Sequence, residues 1–300
     1  MTNALLIMGP TASGKSALAL ALAEKLNGEI VNADSMQVYH DLHVLTARPG
    51  ADETARVPHH LYGHVDASER YSAGQWVRDA VAVIDEIAAR RRTPIVVGGT
   101  GLYFKALTEG LAPAPAAPAE HRARLLEELR TEGVSALHLR LAALDPVASS
   151  RIGIADAPRI LRALEVAESG ALLSELQRQA KPALHDWRGF LLWPERAALY
   201  AAIEARFDAM LQHGALDEAR VLAAQALDPS LPAMKAHGAP ALMAHLRGEM
   251  PLEAAAEIAK RDTRRYAKRQ FTWMANQQTD WPRLEAATLA DRLDWATQGI

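Results

Sequence analysis

The 300-residue sequence contains no cysteine, and this absence removes several classes of protein. Disulfide-stapled secreted domains and thiolate zinc sites both need cysteine, so neither is available to this chain. No apolar run approaches the roughly 20 residues that a membrane-spanning helix requires. The segment ALALALA at 17–23 is not expected to be a secretory signal, because no basic region precedes it. The sequence therefore predicts a soluble, cytoplasmic protein without a membrane partner.

Aromatic residues and net charge are also scarce: aromatics make up 5% of the chain and the formal net charge is −3. This balance excludes a surface coated in positive charge, although the 33 lysines and arginines can still gather locally. Hydrophobic residues, in contrast, make up 49% of the sequence. That content is enough for one large or two modest globular units.

Residues 9–16 read GPTASGKS and match the phosphate-binding loop pattern G-x-x-x-x-G-K-S. An apolar run at 4–8 precedes this P-loop and a helical pattern at 16–26 follows it, which is the setting that the motif requires. The residues expected to bind phosphate are Gly9, Pro10, Thr11, Ala12, Ser13, Gly14, Lys15 and Ser16, with the Ser16 hydroxyl on Mg²⁺. The motif recognises a polyanion and does not by itself say which one.

Short β-type runs at 4–8, 29–33 and 93–99 alternate with helical stretches such as 73–91. The alternation predicts an α/β fold with a parallel sheet of the P-loop NTPase type. The proline-rich stretch LAPAPAAPAE interrupts the pattern, the following residues to about 187 are typical of helix, and FLLW at 190–193 is typical of a returning strand. We predict a P-loop core at 1–111, an inserted, mostly helical domain at 112–188, and the rest of the core with a basic helix at 189–300.

Two further loops follow predicted strands, at the edge of the sheet where ligands of parallel sheets bind. In NADSMQVY, Asp34 admits three interpretations: the N-cap of a helix through SMQVYHDL, a magnesium ligand, or a general base. In GGTG at 98–101, the glycines would let the backbone approach a ligand and Thr100 would supply a hydroxyl. GGTG alone is weak evidence, and its weight comes from sharing a sheet edge with the P-loop.

Basic residues gather in two places. In the insert, Arg151, Arg159 and Arg162 either reach phosphates or form a solvated helix face. Near the C-terminal end, KRDTRRYAKR at 260–269 carries six basic residues and one acidic residue. At about 100° per residue, they form two adjoining stripes: Lys260, Arg264 and Lys268, then Arg261, Arg265 and Arg269. The pattern predicts an outward cationic face that binds a polyphosphate backbone, with Tyr266 and Trp273 packed on the core.

The histidines of PHHLYGH at 58–64 raise the question of a metal site. His60 and His64 have helical spacing, but Pro58 and Gly63 break a helix and no third ligand is evident. A structural or hydrogen-bonding role is favoured.

The motifs together resemble one family over almost the whole chain, the P-loop tRNA dimethylallyltransferases, also called tRNA isopentenyltransferases. The resemblance is carried by GPTASGKS, DSMQVY, LTARP at 45–49, PHHL, YSAGQW at 71–76, VVGGTGLYFKAL at 96–107, RILRALEV at 159–166, RFDAML at 206–211 and DTRRYAKRQFTW at 262–273. It implies transfer of a dimethylallyl group from dimethylallyl diphosphate to N6 of the adenine just 3′ of the anticodon, in tRNAs that read codons beginning with U. It implies Asp34 as the base, with Lys15, Thr100, Arg206 and Mg²⁺ near Ser16 stabilising the leaving diphosphate.

The resemblance also implies a monomeric enzyme that binds the anticodon stem-loop of tRNA. The contacts carried over are Asp34, Ser35, Met36, Gln37, Thr100, Arg122, Pro158, Arg159, Ile160, Leu161, Arg162, Arg264, Arg265 and Lys268. Pro158 stands where the family commonly has glutamine, which bears on the contact there, while Leu45 and His40 replace a commoner glycine and arginine.

Three alternatives stay open at this point. An adenylate isopentenyltransferase would use a free nucleotide as acceptor, although the basic helix and the sizeable insert favour RNA. A P-loop small-molecule kinase would explain the first loop and the arginines but neither DSMQVY nor GGTG. An RNA-binding nucleotide switch is the weakest, because the guanine motif N-K-x-D is missing from the sequence.

Overall fold

The structure is a computed structural model that describes residues 4–114 and 118–298. Two compact units make up the chain: Met1–Thr108 with Leu184–Ile300, hereafter the core unit, and Glu109–Ala183, hereafter the helical unit. The sequence placed the insert at 112–188, a few residues later at each end. Its predicted end is displaced because residues from Trp187 onward pair with a core strand.

The core unit contains one six-stranded sheet in which every pairing is parallel. Its strands are β1 (Ala4–Met8), β2 (Gly28–Asn32), β3 (His59–His60), β4 (Thr93–Gly98), β5 (Trp187–Leu192) and β6 (Arg283–Leu284). The order is β3-β2-β4-β1-β5-β6, which places β1 and its P-loop between β4 and β5. The predicted α/β fold is confirmed. The two-residue edge strands β3 and β6 were not predicted, since they are too short for an alternation pattern.

Fourteen α-helices lie in the described residues. They are α1 (Lys15–Lys25), α2 (Ala51–Arg56), α3 (Ala73–Ala89), α4 (Gly101–Thr108), α5 (Ala119–Glu132), α6 (Val134–Leu144), α7 (Pro146–Arg151), α8 (Ala157–Glu168), α9 (Leu173–Arg178), α10 (Arg196–Gln212), α11 (Ala215–Ala224), α12 (Ala239–Leu246), α13 (Leu252–Gln277) and α14 (Leu289–Gln298). Helices α5 to α9 form the helical unit. Within the described ranges, none of these helices is both long and apolar enough to cross a membrane.

β1 and β2 are buried along their whole length, and β4 from Pro94 onward, because helices cover both faces of the sheet. On one face, Leu5 and Ile7 of β1 pack in a cluster with Leu18 and Leu22 of α1. On the other side, the buried Trp76 of α3 stacks on Tyr103 of α4, with ring centroids 4.3 Å apart. Strands buried on both faces read as continuous apolar runs, which is why ALLIM and PIVV were recognisable. The packing fixes the carboxyl ends of β1, β2 and β4 side by side.

Candidate active site

The P-loop follows β1 and has the backbone that its two outer glycines allow. A Cβ on Gly9 would lie 2.9 Å from both Leu192 Cβ and Ser13 Oγ, so no larger residue fits there. Gly14 has a φ of +82°, a left-handed conformation that disfavours other residues, and α1 begins at the next residue. The start of a helix at a glycine-rich turn directs unpaired backbone N–H groups at one point, which suits a polyanion.

Side chains from distant parts of the chain hold this loop from outside. Arg206 of α10 donates from Nη2 to Thr11 Oγ1 at 2.5 Å. Gln270 of α13 accepts the Thr11 N–H at 2.9 Å. Arg292 of α14 donates to the Ser13 carbonyl oxygen at 2.8 Å. Arg206 was predicted at this site, whereas Gln270 and Arg292 were not, because nothing in their sequence surroundings indicates a partner more than 250 residues away.

Two cations converge on the loop with little solvent to stabilise them. Burial lowers the pKa of Lys15 to about 8, the Asp34 carboxylate opposes this shift, and Arg206 adds to it. Burial also lowers the pKa of Arg206, again opposed by Asp34. Each cation is therefore poorly solvated in the free protein and would be stabilised by an anion of higher charge. This arrangement favours a diphosphate as ligand.

Binding of a diphosphate ligand to this loop is expected to take up protons at pH 8.5. With its pKa at about 8, Lys15 is largely neutral at that pH in the free protein, and the bound anion raises the pKa and recruits a proton. Calorimetry in two buffers of different ionisation enthalpy should show an uptake of about half a proton or more. Lys15→Met is the control and should lose the buffer dependence. An equal uptake in both proteins would assign the proton to another group.

Asp34 lies in a tight turn after β2 rather than at a helix start, so the N-cap interpretation is wrong. No helix forms through residues 35–42; the carboxylate Oδ1 instead accepts the Met36 N–H at 2.9 Å. The Asp34 N–H donates to Asn32 Oδ1 at 2.8 Å. Asn32 is fully buried, and its side-chain amide donates to the Leu61 carbonyl oxygen. The backbone carbonyl oxygen of Asn32 accepts from the indole N–H of Trp76. These bonds fix the direction of the Asp34 carboxylate, as a positioned base requires.

The GGTG turn touches neighbouring elements so closely that each glycine is needed. A Cβ on Gly98 would lie 2.1 Å from the Ala33 carbonyl oxygen, and one on Gly101 would lie 2.1 Å from the Trp273 ring. Thr100 Oγ1 accepts the Ser35 N–H at 2.9 Å and is 3.2 Å from Ser35 Oγ. The turn therefore fixes the Asp34 loop rather than standing apart from it.

A cleft of about 540 Å³, counting the part open to solvent, lies between these groups. Its polar lining includes Thr11, Asp34 and Arg206. Its apolar wall consists of Met36, Leu45, Ile203, Phe207 and Met210. Of these, only Met36 was predicted as a site residue. His237 and Tyr266 also line it, with rings 4.3 Å apart, and burial lowers the pKa of His237. One cleft thus combines a cationic end with an apolar wall of aliphatic and aromatic side chains.

The loop that contains Leu45 is held in place by hydrogen bonds with two side chains, one that donates and one that accepts. Gln37 Nε2 donates to the carbonyl oxygens of Thr46 and Ala47 at 2.8 and 2.9 Å. The Glu218 carboxylate accepts the N–H groups of residues 43, 44 and 45 at 2.7, 2.6 and 2.9 Å. Gln37 was predicted to contact tRNA, and in the structure its amide nitrogen is already used within the protein.

The helical unit holds its predicted tRNA residues in different ways. Glu165, 3% exposed, pairs with Arg122 at 2.9 Å and with Arg162 at 3.3 Å, so these two partly exposed arginines are fixed side by side. Arg159 is more exposed and pairs with Asp156 at 3.3 Å. Pro158 lies in the first turn of α8 and is exposed, whereas Ile160 and Leu161 are buried in the core of the unit.

The basic helix α13 does not present both predicted stripes outward. Lys260 is 13% exposed and pairs with Asp208 of α10 at 2.7 Å, and Arg264 pairs with Glu204 of the same helix. The cationic face is therefore narrower than predicted, because acidic residues of α10, more than 50 positions earlier in the sequence, pair with two of the three cations of one stripe. Arg265 and Lys268 are exposed, as are Arg261 and Arg269.

The histidines of PHHLYGH form hydrogen bonds and ring contacts within the protein, in agreement with the predicted structural or hydrogen-bonding role. His60 Nε2 is 2.6 Å from Oε2 of the buried Glu29, and His59 Nδ1 is 2.7 Å from the Val57 carbonyl oxygen. His64 packs edge-on against Tyr71.

Comparison with known proteins agrees with this geometry. The family model described as IPP transferase matches residues 37–277, and the model described as Isopentenyl transferase matches residues 2–61. The tRNA dimethylallyltransferase of Phenylobacterium zucineum is 56% identical over 94% of this chain and 92% of its own length. That of Maricaulis maris is 53% identical over 98% of this chain and 99% of its own length.

Solved structures give the same result. The tRNA isopentenylpyrophosphate transferase of Staphylococcus epidermidis matches with a TM-score of 0.72 and 31% identity over 100% of this chain and 98% of that one. A eukaryotic dimethylallyltransferase acting on tRNA matches with a TM-score of 0.83 and 29% identity, over 100% of this chain and 77% of that one. On its sequence, its fold and the loops around its cleft, the chain belongs to the tRNA dimethylallyltransferase family of prenyltransferases.

Proposed function

We propose that this protein transfers a dimethylallyl group from dimethylallyl diphosphate to N6 of the unpaired adenine immediately 3′ of the anticodon, in tRNAs that read codons beginning with U. The observation that carries the proposal is the single cleft in which Arg206 and the P-loop residue Thr11 face an apolar wall, with Asp34 on the same lining. A donor with a diphosphate at one end and a five-carbon apolar group at the other matches this division of the cleft into a charged end and an apolar wall.

The donor would bind with its diphosphate in the P-loop and its dimethylallyl group on the apolar wall. The loop N–H groups, Lys15 and Arg206 supply fixed positive charge where the leaving diphosphate gains negative charge as the C1–O bond breaks. This stabilisation is differential, because the charge on the bridging oxygen grows only as the reaction proceeds. Met36, Leu45 and Phe207 would hold the carbon chain and exclude water from the reacting carbon.

The acceptor step needs a base because the lone pair of the adenine amine is delocalised into the ring. The N6 atom attacks C1 of the donor, the C1–O bond breaks, diphosphate leaves, and the N6 proton passes to the Asp34 carboxylate. The Met36 N–H and Asn32 hold that carboxylate in one direction. An adenine in a tRNA loop is unpaired, so extruding it into the cleft costs little compared with flipping it from a duplex.

The residues at the loop fit a magnesium ion as a bound cofactor. Ser16 lies in the first turn of α1, directly after Lys15, and is exposed, so its hydroxyl oxygen is open to a ligand. Mg²⁺ prefers oxygen donors and keeps several waters, and one serine with diphosphate oxygens suits that preference. When bound, the ion would neutralise part of the charge on the leaving diphosphate.

We also place the tRNA backbone against the exposed cations Arg265 and Lys268 of α13 and against Arg122, Arg159 and Arg162 of the helical unit. Arg122 and Arg162 are already ordered by Glu165, so less side-chain entropy is lost when they bind phosphate. We further propose that the enzyme acts as a cytoplasmic monomer. This is supported by the lack of cysteine and by the origin of Lys15, Asp34, Thr100 and Arg206 in one unit of one chain.

Removing the exposed charges of α13 is expected to weaken tRNA binding without slowing the chemistry. The variant is Arg265→Gln combined with Lys268→Gln, and its KM for tRNA should rise while kcat and the KM for the donor stay unchanged, because phosphate contacts position a substrate. The salt dependence of tRNA binding should weaken by about one ion for each cation removed. Arg220→Gln combined with Arg247→Gln, two exposed arginines elsewhere in the core unit, is the matched control. Unchanged tRNA affinity would remove α13 from the interface.

Mass spectrometry of tRNA incubated with the protein and dimethylallyl diphosphate tests the proposed function. One tRNA nucleoside should gain the mass of C5H8, and an adenine-to-guanine change at the position 3′ of the anticodon should abolish the gain. Modification of free AMP in place of tRNA would indicate the adenylate isopentenyltransferase alternative. Transfer of label from γ-labelled ATP to a small molecule would indicate a kinase instead.

A further inference from the structure

Gln270 connects the two glycine-rich turns of the active site through its amide group. It lies on α13, is 4% exposed, and accepts the Thr11 N–H of the P-loop at 2.9 Å. Its Nε2 donates to the Gly99 carbonyl oxygen at 2.8 Å. A backbone N–H on one side and a carbonyl on the other permit only one orientation of the amide, so both ends are fixed.

At each end of this bridge, a further hydrogen bond leads to a residue with a proposed role in the reaction. On the P-loop side, the hydroxyl of Thr11 accepts from Arg206. On the other side, Gly99 precedes Thr100, whose Oγ1 accepts the Ser35 N–H next to Asp34. A Cβ on Gly99 would lie 2.1 Å from Gln270 Nε2, so the turn packs directly on the amide. The chain of contacts runs from the diphosphate-binding loop to the loop of the base.

We propose that Gln270 is a positioning residue that sets the distance between the donor loop and the base loop. This inference rests on the proposed prenyl transfer and adds a role for a residue that touches neither substrate. Both reacting groups must be held near attack distance, and a misplacement of about 1 Å costs about 100-fold in rate. The two turns also touch directly, since the Gly9 N–H donates to the Gly98 carbonyl oxygen at 3.2 Å, and the amide of Gln270 adds the contact that fixes Thr11 relative to Gly99.

A second buried glutamine, at the C-terminal end of α13, offers a matched control. Gln278, 3% exposed, directly follows α13, and neither atom of its amide has a hydrogen-bond partner among the described residues. Methionine has nearly the shape of glutamine without its hydrogen bonds, so Gln270→Met and Gln278→Met make the same chemical change at two buried positions. Only the first breaks a bridge.

Single-turnover and steady-state kinetics with dimethylallyl diphosphate and tRNA compare the two variants. We expect Gln270→Met to lower kcat about 100-fold with little change in the KM for tRNA. Gln278→Met should retain wild-type kcat. Thermal unfolding of both variants shows whether they are folded. Wild-type kcat in a folded Gln270→Met, or equal losses in both variants, would overturn the inference, whereas an inactive wild-type protein would contradict the proposed function instead.

Gln270→Glu gives a second readout that a purely structural role would not change. An ionised carboxylate can accept from Thr11 but cannot donate to Gly99, whereas the protonated acid has both capacities and the shape of glutamine. Charged and titratable groups on the loops that this bridge connects, and on the elements packed against them, include Lys15, Asp34, Arg206, His237, Tyr266, Arg269 and Arg292. Because these also titrate or carry charge in the wild type, activity is expressed as the ratio of variant to wild type.

The ratio for Gln270→Glu should rise at least tenfold as the pH falls from 8 to 5.5, since burial favours the protonated acid. The ratio for Gln270→Met should stay flat over the same range. A flat ratio for Gln270→Glu, at any level of activity, would show that the donor and acceptor capacities of this side chain do not matter to the reaction.

Discussion

Asp34→Asn is expected to slow prenyl transfer by about 10²–10⁴-fold while tRNA binding stays nearly intact. Asparagine keeps the side-chain oxygen that accepts the Met36 N–H at 2.9 Å, so the turn after β2 should keep its shape. It cannot take the N6 proton, and that loss is the full effect of removing a positioned base. The measurement is the single-turnover rate at saturating tRNA and donor, with tRNA affinity determined separately.

Asp41→Asn is the matched control for this variant. Asp41 lies in the same long loop and its carboxylate also accepts a backbone N–H, from Ala67 at 3.2 Å, but it does not line the cleft. Its transfer rate should stay close to that of the wild type. If Asp34→Asn kept the wild-type single-turnover rate, the carboxylate would be a structural element of the turn, and the proton would have to leave by another route.

Lys15→Ala is expected to lower the rate of prenyl transfer by about 10²–10³-fold, the usual cost of removing one fixed donor that faces developing charge. The ammonium group lies at the loop that we propose binds the diphosphate, and Arg206 remains as the second cation. Because Lys15 stabilises the diphosphate most strongly when the C1–O bond breaks, kcat should fall more than the donor affinity. Pre-steady-state rates and direct binding of dimethylallyl diphosphate separate the two.

The control for Lys15→Ala is Lys25→Ala, at the opposite end of the same helix. Lys25 is exposed and contacts Thr297 at 3.4 Å, far from the loop along α1. Its removal should leave the transfer rate unchanged. A normal rate in Lys15→Ala would mean that the P-loop holds some other anion, and the donor would then have to bind elsewhere.

The position of the candidate active-site loops at one edge of the sheet was predictable, because it follows from the topology of a parallel sheet. The P-loop, Asp34 and GGTG all follow strands, and the carboxyl ends of β1, β2 and β4 meet at one edge. The residues around Asp34 left its role open between a helix cap, a magnesium ligand and a general base, and only the family resemblance implied the base. Only the turn geometry, with Met36 bonded to the carboxylate and no helix, excludes the cap.

Contacts between residues distant in sequence were the part that could not be predicted. Helical periodicity aligned Lys260 with Arg264 correctly, but it contains no information on Asp208 and Glu204, which pack against that stripe. Gln270 and Arg292 were missed for the same reason: their partners lie in the P-loop, and a single glutamine or arginine in a polar helix carries no periodic signal. The apolar cleft wall likewise comes from two separate segments of the chain, the loop after β2 and α10.

The order of the strands has a consequence for synthesis of the protein on the ribosome. β1 is made before the other strands of the sheet, yet one of its two neighbours, β5, comes only after the whole helical unit. Gly9 packs on Leu192, and the loop is then held by Arg206, Gln270 and Arg292, which emerge in that order. The nascent chain therefore exposes its phosphate-binding motif long before that motif acquires its native shape. Affinity for diphosphate should appear late in translation, which protects the incomplete chain from capturing the donor or cellular nucleotides.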